Sequence, residues 1–334
     1  MRYCSDAPRL SVAALNRVGA QLPSDRYEIV FTEKLAAASI VNDLINAGLL
    51  SANIRIADFD DVASDFKENW LTAQRTSIGH LRTYHSRIEL ERIKSIEAQV
   101  AGTWDVVAVC KQEDVALLRR LYPMSHPVQF SNVIERSRLA KKIRPDSKLL
   151  FVGLLSYDPN RVAIQDFIQF VWPDIQQRRP AATLDIVGRY ASGYLRDLVK
   201  KTPGVKLHED VPTVEPFYEQ ADVVIIPVKL GSGTRIKAIE AMAYGRPMVS
   251  TSLGVEGLGV VNERHALIRD DFQDFAQATI RLLDDPVLST TLADTAHELQ
   301  RTLFGQHGLD RAVYTAINSA LVQSNRAVGH RRLI

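Results

Sequence analysis

Cysteine is nearly absent from this chain of 334 residues, with only Cys4 and Cys110. Two thiols cannot build a disulfide framework or a cysteine-based zinc site, and a reducing compartment suits them. Long apolar runs are missing as well. Nothing approaches the ~18 uninterrupted apolar residues of a membrane-crossing helix. The opening Met1-Arg-Tyr-Cys-Ser-Asp-Ala-Pro has no apolar core of the kind a secretory leader carries. The expected location is therefore the cytoplasm. Excess charge of one sign is lacking too. The 41 Lys+Arg against 39 Asp+Glu leave a net +2, so no overall field draws the chain onto nucleic acid, and no nucleic-acid partner is expected. No Gly-x-Ser-x-Gly elbow is present. His85, His208 and His265 stand alone, and no His/Asp/Glu spacing supports a metal.

What is present has the balance of a globular protein: 46% apolar and 24% charged residues. At about 150 residues per domain the length suggests two domains. The first part alternates helix and strand: a helix through Leu10 to Val18, a strand at Tyr27–Phe31, a helix from Ala36 to Ala47 and a strand at Asn53–Ala57. A long amphipathic helix then ends near Val100, with Ile88, Ile93, Ile96 and Val100 on its apolar side. A strand at Asp105–Cys110, a helix from Gln112 to Leu121 and a short strand at Val128 follow. Between Glu135 and Lys148 the character changes. Arg136, Arg138, Lys141, Lys142, Arg144 and Lys148 crowd around Pro145. The stretch reads as an interdomain linker, either solvated or touching a membrane surface.

The second part is clearer. Leu149–Gly153 and Thr183–Gly188 are apolar strands that each end at a glycine. Further strands are expected at Val205–His208, Val223–Pro227, Pro247–Ser250 and Ala266–Ile268. Helices fill the gaps at Ala163–Gln177, Tyr194–Lys200, Glu215–Gln220, Thr234–Tyr244 and Phe272–Leu283, and two more lie between Ser289 and Gln323. Near-continuous apolar strands alternating with helices argue for an α/β fold with a parallel sheet covered on both faces.

In such a sheet ligands bind beyond the carboxyl ends of the strands. The richest loop there runs Lys229-Leu-Gly-Ser-Gly-Thr-Arg-Ile-Lys-Ala-Ile-Glu240. Gly231 and Gly233 let backbone approach a ligand closely. The helix beginning near Thr234 aims its unpaired N–H groups at the same place. Arg235 and Lys237 add two cations, and a diphosphate suits the whole. Ile236, Ile239 and Ala243 are expected on the buried face of that helix, with Glu240 at its edge. Glu240 either pairs with Lys237, three residues back, or accepts hydrogen bonds from ligand hydroxyls.

The order of these blocks resembles the donor-binding half of the retaining glycosyltransferases of family 4, with the GT-B fold. The blocks are Phe151-Val-Gly-Leu-Leu-Ser-Tyr-Asp-Pro-Asn160, Val171-Trp-Pro173, Leu184-Asp-Ile-Val-Gly188, Val211-Pro-Thr-Val-Glu-Pro-Phe-Tyr218, the Gly231–Ala243 loop and helix, Gly245–Thr251 and Gly254–Leu258. The resemblance covers Lys148 to about Arg281. It implies two Rossmann-like domains with parallel sheets. It implies that Glu240 accepts hydrogen bonds from the ribose of a nucleotide sugar, and that Gly231, Ser232, Gly233 and Thr234 hold the diphosphate. Gly153 and Leu154 would then face the phosphates, Gly188 would border the site, and Val211 would lie against the base. Arg189 flanks the donor or is a surface arginine. Where many relatives have an earlier glutamate, eight residues before the ribose one, this chain has Ser232.

The first part resembles the acceptor half through Asp58-Phe-Asp-Asp-Val-Ala-Ser64, Trp104–Cys110 and Glu113-Asp114. Asp58, Asp60 and Asp61 would lie at the acceptor-side cleft, or would form a capping cluster for the next helix. No counterpart of the family's opening strand and glycine loop precedes Tyr27. The N-terminal domain is therefore expected to be shortened, with a partner chain over its exposed edge. The expected division is 1–135, an acceptor-side domain; 136–147, linker; 148–305, the nucleotide-sugar domain; and 306–334, a helix and tail packing toward the N-terminal domain. The implied activity is transfer of a sugar from a nucleoside diphosphate sugar to a hydroxyl of a glycan or lipid-linked acceptor, with retention. Arg235, Lys237 and Glu240 are the expected catalytic residues, with no metal and no cofactor. Peripheral membrane contact fits such an acceptor. The rivals are a nucleotide-sugar epimerase of the same fold and a non-catalytic nucleotide-sugar-binding protein.

Overall fold

The computed structural model describes residues 10–73, 80–134, 136, 138–139, 147–231 and 235–331. They form two compact α/β units. One comprises the chain up to Ser131 together with the residues from Leu309 on; the other runs from Asn132 to Gly231 and from Arg235 to Gly308.

The first unit holds α1 (Val12–Gly19), β1 (Arg26–Glu33), α2 (Leu35–Asn46), β2 (Ser51–Asp60), α3 (Ala63–Ala73), α4 (His80–Thr103), β3 (Val106–Val109), α5 (Gln112–Leu121) and β4 (Pro127–Gln129). The strands make one parallel sheet in the sequential order β1-β2-β3-β4. Successive strand residues point to opposite faces. Ala57, Phe59, Val107 and Val109 therefore pack with Ala38, Val100, Trp104 and Leu118, while Ile54, Ile56, Val106 and Ala108 pack with Ala316 and Ala320 near the end of the chain. The long helix expected before Val100 is two helices, α3 and α4, with residues 74–79 outside the described ones. On α4, Ile93 and Val100 are buried, whereas Ile88 faces solvent.

The second unit follows with β5 (Lys148–Val152), α6 (Asp158–Asp166), α7 (Trp172–Arg178), β6 (Thr183–Gly188), α8 (Gly193–Lys201), β7 (Val205–Glu209), α9 (Glu215–Gln220), β8 (Val223–Ile226), α10 (Ile236–Ala243), β9 (Met248–Ser250), β10 (Leu267–Ile268), α11 (Phe272–Asp284) and α12 (Pro286–Phe304). The last helix, α13 (Gln306–Arg331), supplies Ala316 and Ala320 to the first unit. The helix expected from Ala163 starts earlier, at Asp158, with Pro159 in its first turn, where a missing N–H costs nothing. It is interrupted by a π turn at Phe167–Val171. There the N–H of Trp172 bonds five residues back to Phe167, and Pro173, having no N–H, opens α7.

The second sheet has six parallel strands in the order β10-β9-β8-β5-β6-β7. The chain winds outward from β5 through β6 to β7, then returns to the other side of β5 for β8. The strand order therefore reverses at β5, the topological switch point near which open α/β sheets bind ligands. Both faces are covered, as the apolar strands require. Phe151, Leu184, Ile186 and Ile225 pack with Phe167, Trp172 and Phe275; Leu150, Val187, Val224 and Ile226 pack with Tyr218, Ile239 and Met242.

The described part of the basic stretch is fixed to the second unit. Ile134 exchanges hydrogen bonds with the end of α12, its N–H to Phe304 O at 3.0 Å and its carbonyl from Gln300 Nε2 at 2.6 Å. Arg138 pairs with Asp294 on α12. Lys141, Lys142 and Arg144 lie outside the described residues.

Candidate donor-binding site

Two glycines let β5 and β6 end in contact. A Cβ built on Gly188 would stand 2.0 Å from the carbonyl oxygen of Gly153. A Cβ on Gly153 would stand 2.8 Å from Asn160 Nδ2 and 3.3 Å from Lys237 Nζ. No side chain fits at Gly188 without moving backbone, and one at Gly153 would displace the Asn160 carboxamide. Beyond these strand ends opens a cleft of ≈ 550 Å³ lined by Gly153, Leu154, Gly188, Arg189 and Val211. These are five of the positions expected to hold the donor. Pro212, Thr213, Val214 and Glu215 continue the wall after β7, and Arg136 and Tyr244 complete it.

Lys237 is held at the same strand ends. Its Nζ donates to Asn160 Oδ1 at 2.5 Å, and Asn160 Nδ2 donates to the carbonyl of Leu154 at 3.0 Å. The amine also stands 4.7 Å from the centre of the Phe151 ring. Burial, helped by the charge of Arg235 and opposed by Glu240, brings its pKa down to about 7. No ion pair joins Lys237 to Glu240; their hydrogen bonds go to Asn160 and Tyr218 instead.

Arg235 is buried, and its guanidinium ties the loop together. Nε donates to Leu253 O at 2.9 Å and Nη2 to Gly231 O at 2.8 Å. Gly231 takes φ +107°, and a Cβ there would crowd Pro159 and Tyr157. Ser232, Gly233 and Thr234, the other expected diphosphate contacts, lie outside the described residues.

Glu240 is half-buried on α10. It accepts a hydrogen bond from the Tyr218 hydroxyl at 3.1 Å. Burial raises its pKa, while the Tyr218 bond and the charges of Arg136 and Lys237 resist the rise. Tyr218 is fully buried and stacks on Tyr244, with ring centres 4.5 Å apart. Burial first, then the neighbouring carboxylate, keeps the Tyr218 hydroxyl protonated and donating. Tyr244 lies one turn beyond Glu240 and so brings the carboxylate's helix face to the cleft. Ile236, expected on the buried face, is 40% exposed, because the inner face of α10 runs through Ala238, Ile239, Ala241 and Met242.

In the first unit the acidic cluster closes on itself. β2 is irregular between Asp58 and Asp60, and Asp60 takes φ +65°. Its N–H donates to Asp58 Oδ1 at 2.9 Å, it pairs with Lys34, and Cys110 Sγ donates to its Oδ1 at 2.8 Å. Burial pushes Asp58 and Asp61 up to about 6, with the charge of Asp60 adding to both and Lys34 opposing. The start of α3 is capped by Glu97, which accepts from Ser64 N at 2.9 Å.

Residues 146–285 match the model of a family described as glycosyl transferases group 1. Similar solved structures include sucrose-phosphate synthase from Thermosynechococcus elongatus (TM-score 0.66, 16% identity, 96% of this chain and 77% of that one). HepE from Anabaena in complex with UDP gives TM-score 0.67 at 13% identity over 92% of this chain and 82% of that one. A mutant of S. aureus TarM in complex with fondaparinux, alpha-GlcNAc-glycerol and UDP gives 0.65 at 15% identity over 87% and 55%. No curated protein matches the sequence. The fold is GT-B.

Within this GT-B chain, sequence reasoning found the glycines and cations of the second unit but passed over four residues that line the cleft or hold Lys237 and Glu240. Asn160 and Tyr218 stood inside the quoted blocks without a role. Tyr244 was signalled by its i+4 spacing from Glu240. Arg136 had no signal, because nothing in a basic stretch says which arginine folds back onto a cleft. Among the described residues no helix is long and apolar enough to cross a membrane, and no group of three or more His, Cys, Asp or Glu could hold a metal ion.

Proposed function

We propose that this chain is a retaining glycosyltransferase that moves a sugar from a nucleoside diphosphate sugar to a hydroxyl of a glycan or lipid-linked acceptor. The observation that carries the reading is the cleft at the β5–β6 strand ends, lined by Gly153, Gly188 and the 211–215 wall, with the Lys237 amine held beside Gly153 and with Tyr244, stacked on the Tyr218 that holds Glu240, in its lining. The family match over 146–285 supports it, as does the fold shared with structures that hold UDP.

The base lies along the 211–215 wall, and the ribose hydroxyls donate to Glu240. Tyr218 fixes that carboxylate and leaves its other oxygen for the ligand. As the glycosidic bond breaks, negative charge builds on the departing diphosphate. Lys237 is placed to meet that charge at the Gly153 turn, so it stabilises the transition state more than the ground state. Arg235 shapes the Gly231 loop and adds positive potential without leaving its carbonyl partners. Asp58 and Asp61, with pKa values near 6, suit hydrogen bonding to an acceptor hydroxyl.

The test is a panel of nucleotide sugars on the purified chain, followed by thermal shift and by release of nucleoside diphosphate. One donor should stabilise the chain and turn over when a hydroxyl acceptor is supplied. Glu240→Ala should weaken nucleotide affinity about 10-fold or more, the worth of hydrogen bonds to a charged group. Unchanged affinity would remove the ribose assignment.

A further inference from the structure

We propose that Asn160 is a positioning residue for the donor, its carboxamide clamping the Lys237 amine to the Gly153–Leu154 turn against which the diphosphate lies. The proposal rests on the donor reading above. It starts from a chain of contacts. Asn160 is 8% exposed and sits in the first turn of α6, where its own N–H donates to Tyr157 O at 3.0 Å. From there the side chain reaches two ways, accepting from Lys237 Nζ and donating to Leu154 O. A carboxamide is neutral and offers both an acceptor and a donor at this span. A carboxylate could not donate to Leu154, and an apolar residue would leave the amine unheld. Gly153 is bound into the same device, because a Cβ there would push on both Asn160 Nδ2 and Lys237 Nζ.

The clamp has a consequence for protonation. The charged groups facing the amine are Arg235 and Glu240; α6 and β5 present it only uncharged partners, Asn160 and Phe151. Near neutral pH the amine is therefore poised between its two forms, and a bound diphosphate draws a proton onto it. The acceptor oxygen of Asn160 favours the charged form, against the burial and the Arg235 charge that lower the pKa, and so bears on the pH at which this happens.

The experiment is titration of UDP into the full chain from pH 6.5 to 9.5, above the phosphate's own titration near pH 6. In the wild-type chain affinity falls as pH rises past about 7, and Lys237→Met abolishes that pH dependence. Asn160→Asp, which puts a carboxylate beside the amine, should move the fall upward by about one pH unit or more. Asn160→Ala should move it downward and weaken binding about 10-fold at pH 7. Gly153→Ala, which disturbs the clamp from the other side, should also move it downward. If both Asn160 variants only lower the melting temperature and weaken binding equally at every pH, Asn160 is structural and the proposal is overturned. If the wild-type chain binds no nucleoside diphosphate, the donor reading fails and the proposal falls with it.

Discussion

Both units end their parallel strands in polar loops, yet only one sheet reverses its winding. The first sheet runs β1-β2-β3-β4, each strand beside its predecessor. Its connections all step the same way, and its strand-end loops close on one another, as the hydrogen bonds among Asp58, Asp60, Lys34 and Cys110 record. The second sheet starts in the middle at β5, and a cleft opens beyond the ends of β5 and β6. To those strand ends it brings glycines, which remove side chains, and Lys237, which supplies charge. On the proposed reading, a diphosphate is drawn to the cationic strand ends of the second unit and repelled from the carboxylates of the first.

The sharpest way to break this contrast is Gly188→Ala. The added methyl meets backbone 2.0 Å away, and neither strand can move without disturbing the sheet. A loss of about 3 kcal/mol is expected, read as a drop in melting temperature together with lost UDP binding. Lys237→Ala comes next. UDP affinity should fall about 10- to 100-fold below pH 7, the range for a hydrogen bond to a charged group. Asp58→Ala should leave UDP affinity unchanged; an equal loss in both variants would erase the distinction between the units.

Asp61→Asn tests the acidic side through pH. With its folded pKa near 6 instead of 3.8, the folded state binds more protons than the unfolded one between these values. The stability this group contributes is therefore present at low pH and is lost as pH rises through about 6. Replacing it with Asn should stabilise the chain by about 1–2 kcal/mol at pH 7.5 and by close to nothing at about pH 2.5, below the unfolded value of 3.8. Denaturant unfolding at the two pH values checks this. The smallest effect is Gly102→Ala on α4. Nothing stands within 4 Å of its built Cβ, so a gain of about 0.5–1 kcal/mol is expected from helix propensity alone.

The parallel architecture of the second unit was legible because its strands are almost wholly apolar and its helices carry regular stripes. Gly153 and Gly188 were legible as strand-ending glycines, although the sequence held no sign that they touch each other. The division into α3 and α4 was not legible, since the apolar spacing through Ile88, Ile93, Ile96 and Val100 falls wholly on α4 and says nothing of where that helix begins. Ile236 misled for a related reason. The inner face of α10 runs through Ala238, Ile239, Ala241 and Met242, so Ile236 turns to water although Arg235 and Ala238 on either side are buried.

The sequence by itself determined the element types, the parallel sheets and the identities of the glycines and cations at the strand ends, because these follow from local periodicity and from residue chemistry at fixed spacing. Only the tertiary structure decided which partner each polar group takes. Lys237 could have met Glu240 on its own helix; it meets Asn160, 77 positions away, because the first turn of α6 comes within its reach at the end of β5. Glu240 is left to Tyr218, and the described arginines of the basic stretch to α12 and the cleft. Hydrogen bonds reach only about 3 Å, so their pairing is settled by where the elements pack and not by the order of residues along the chain.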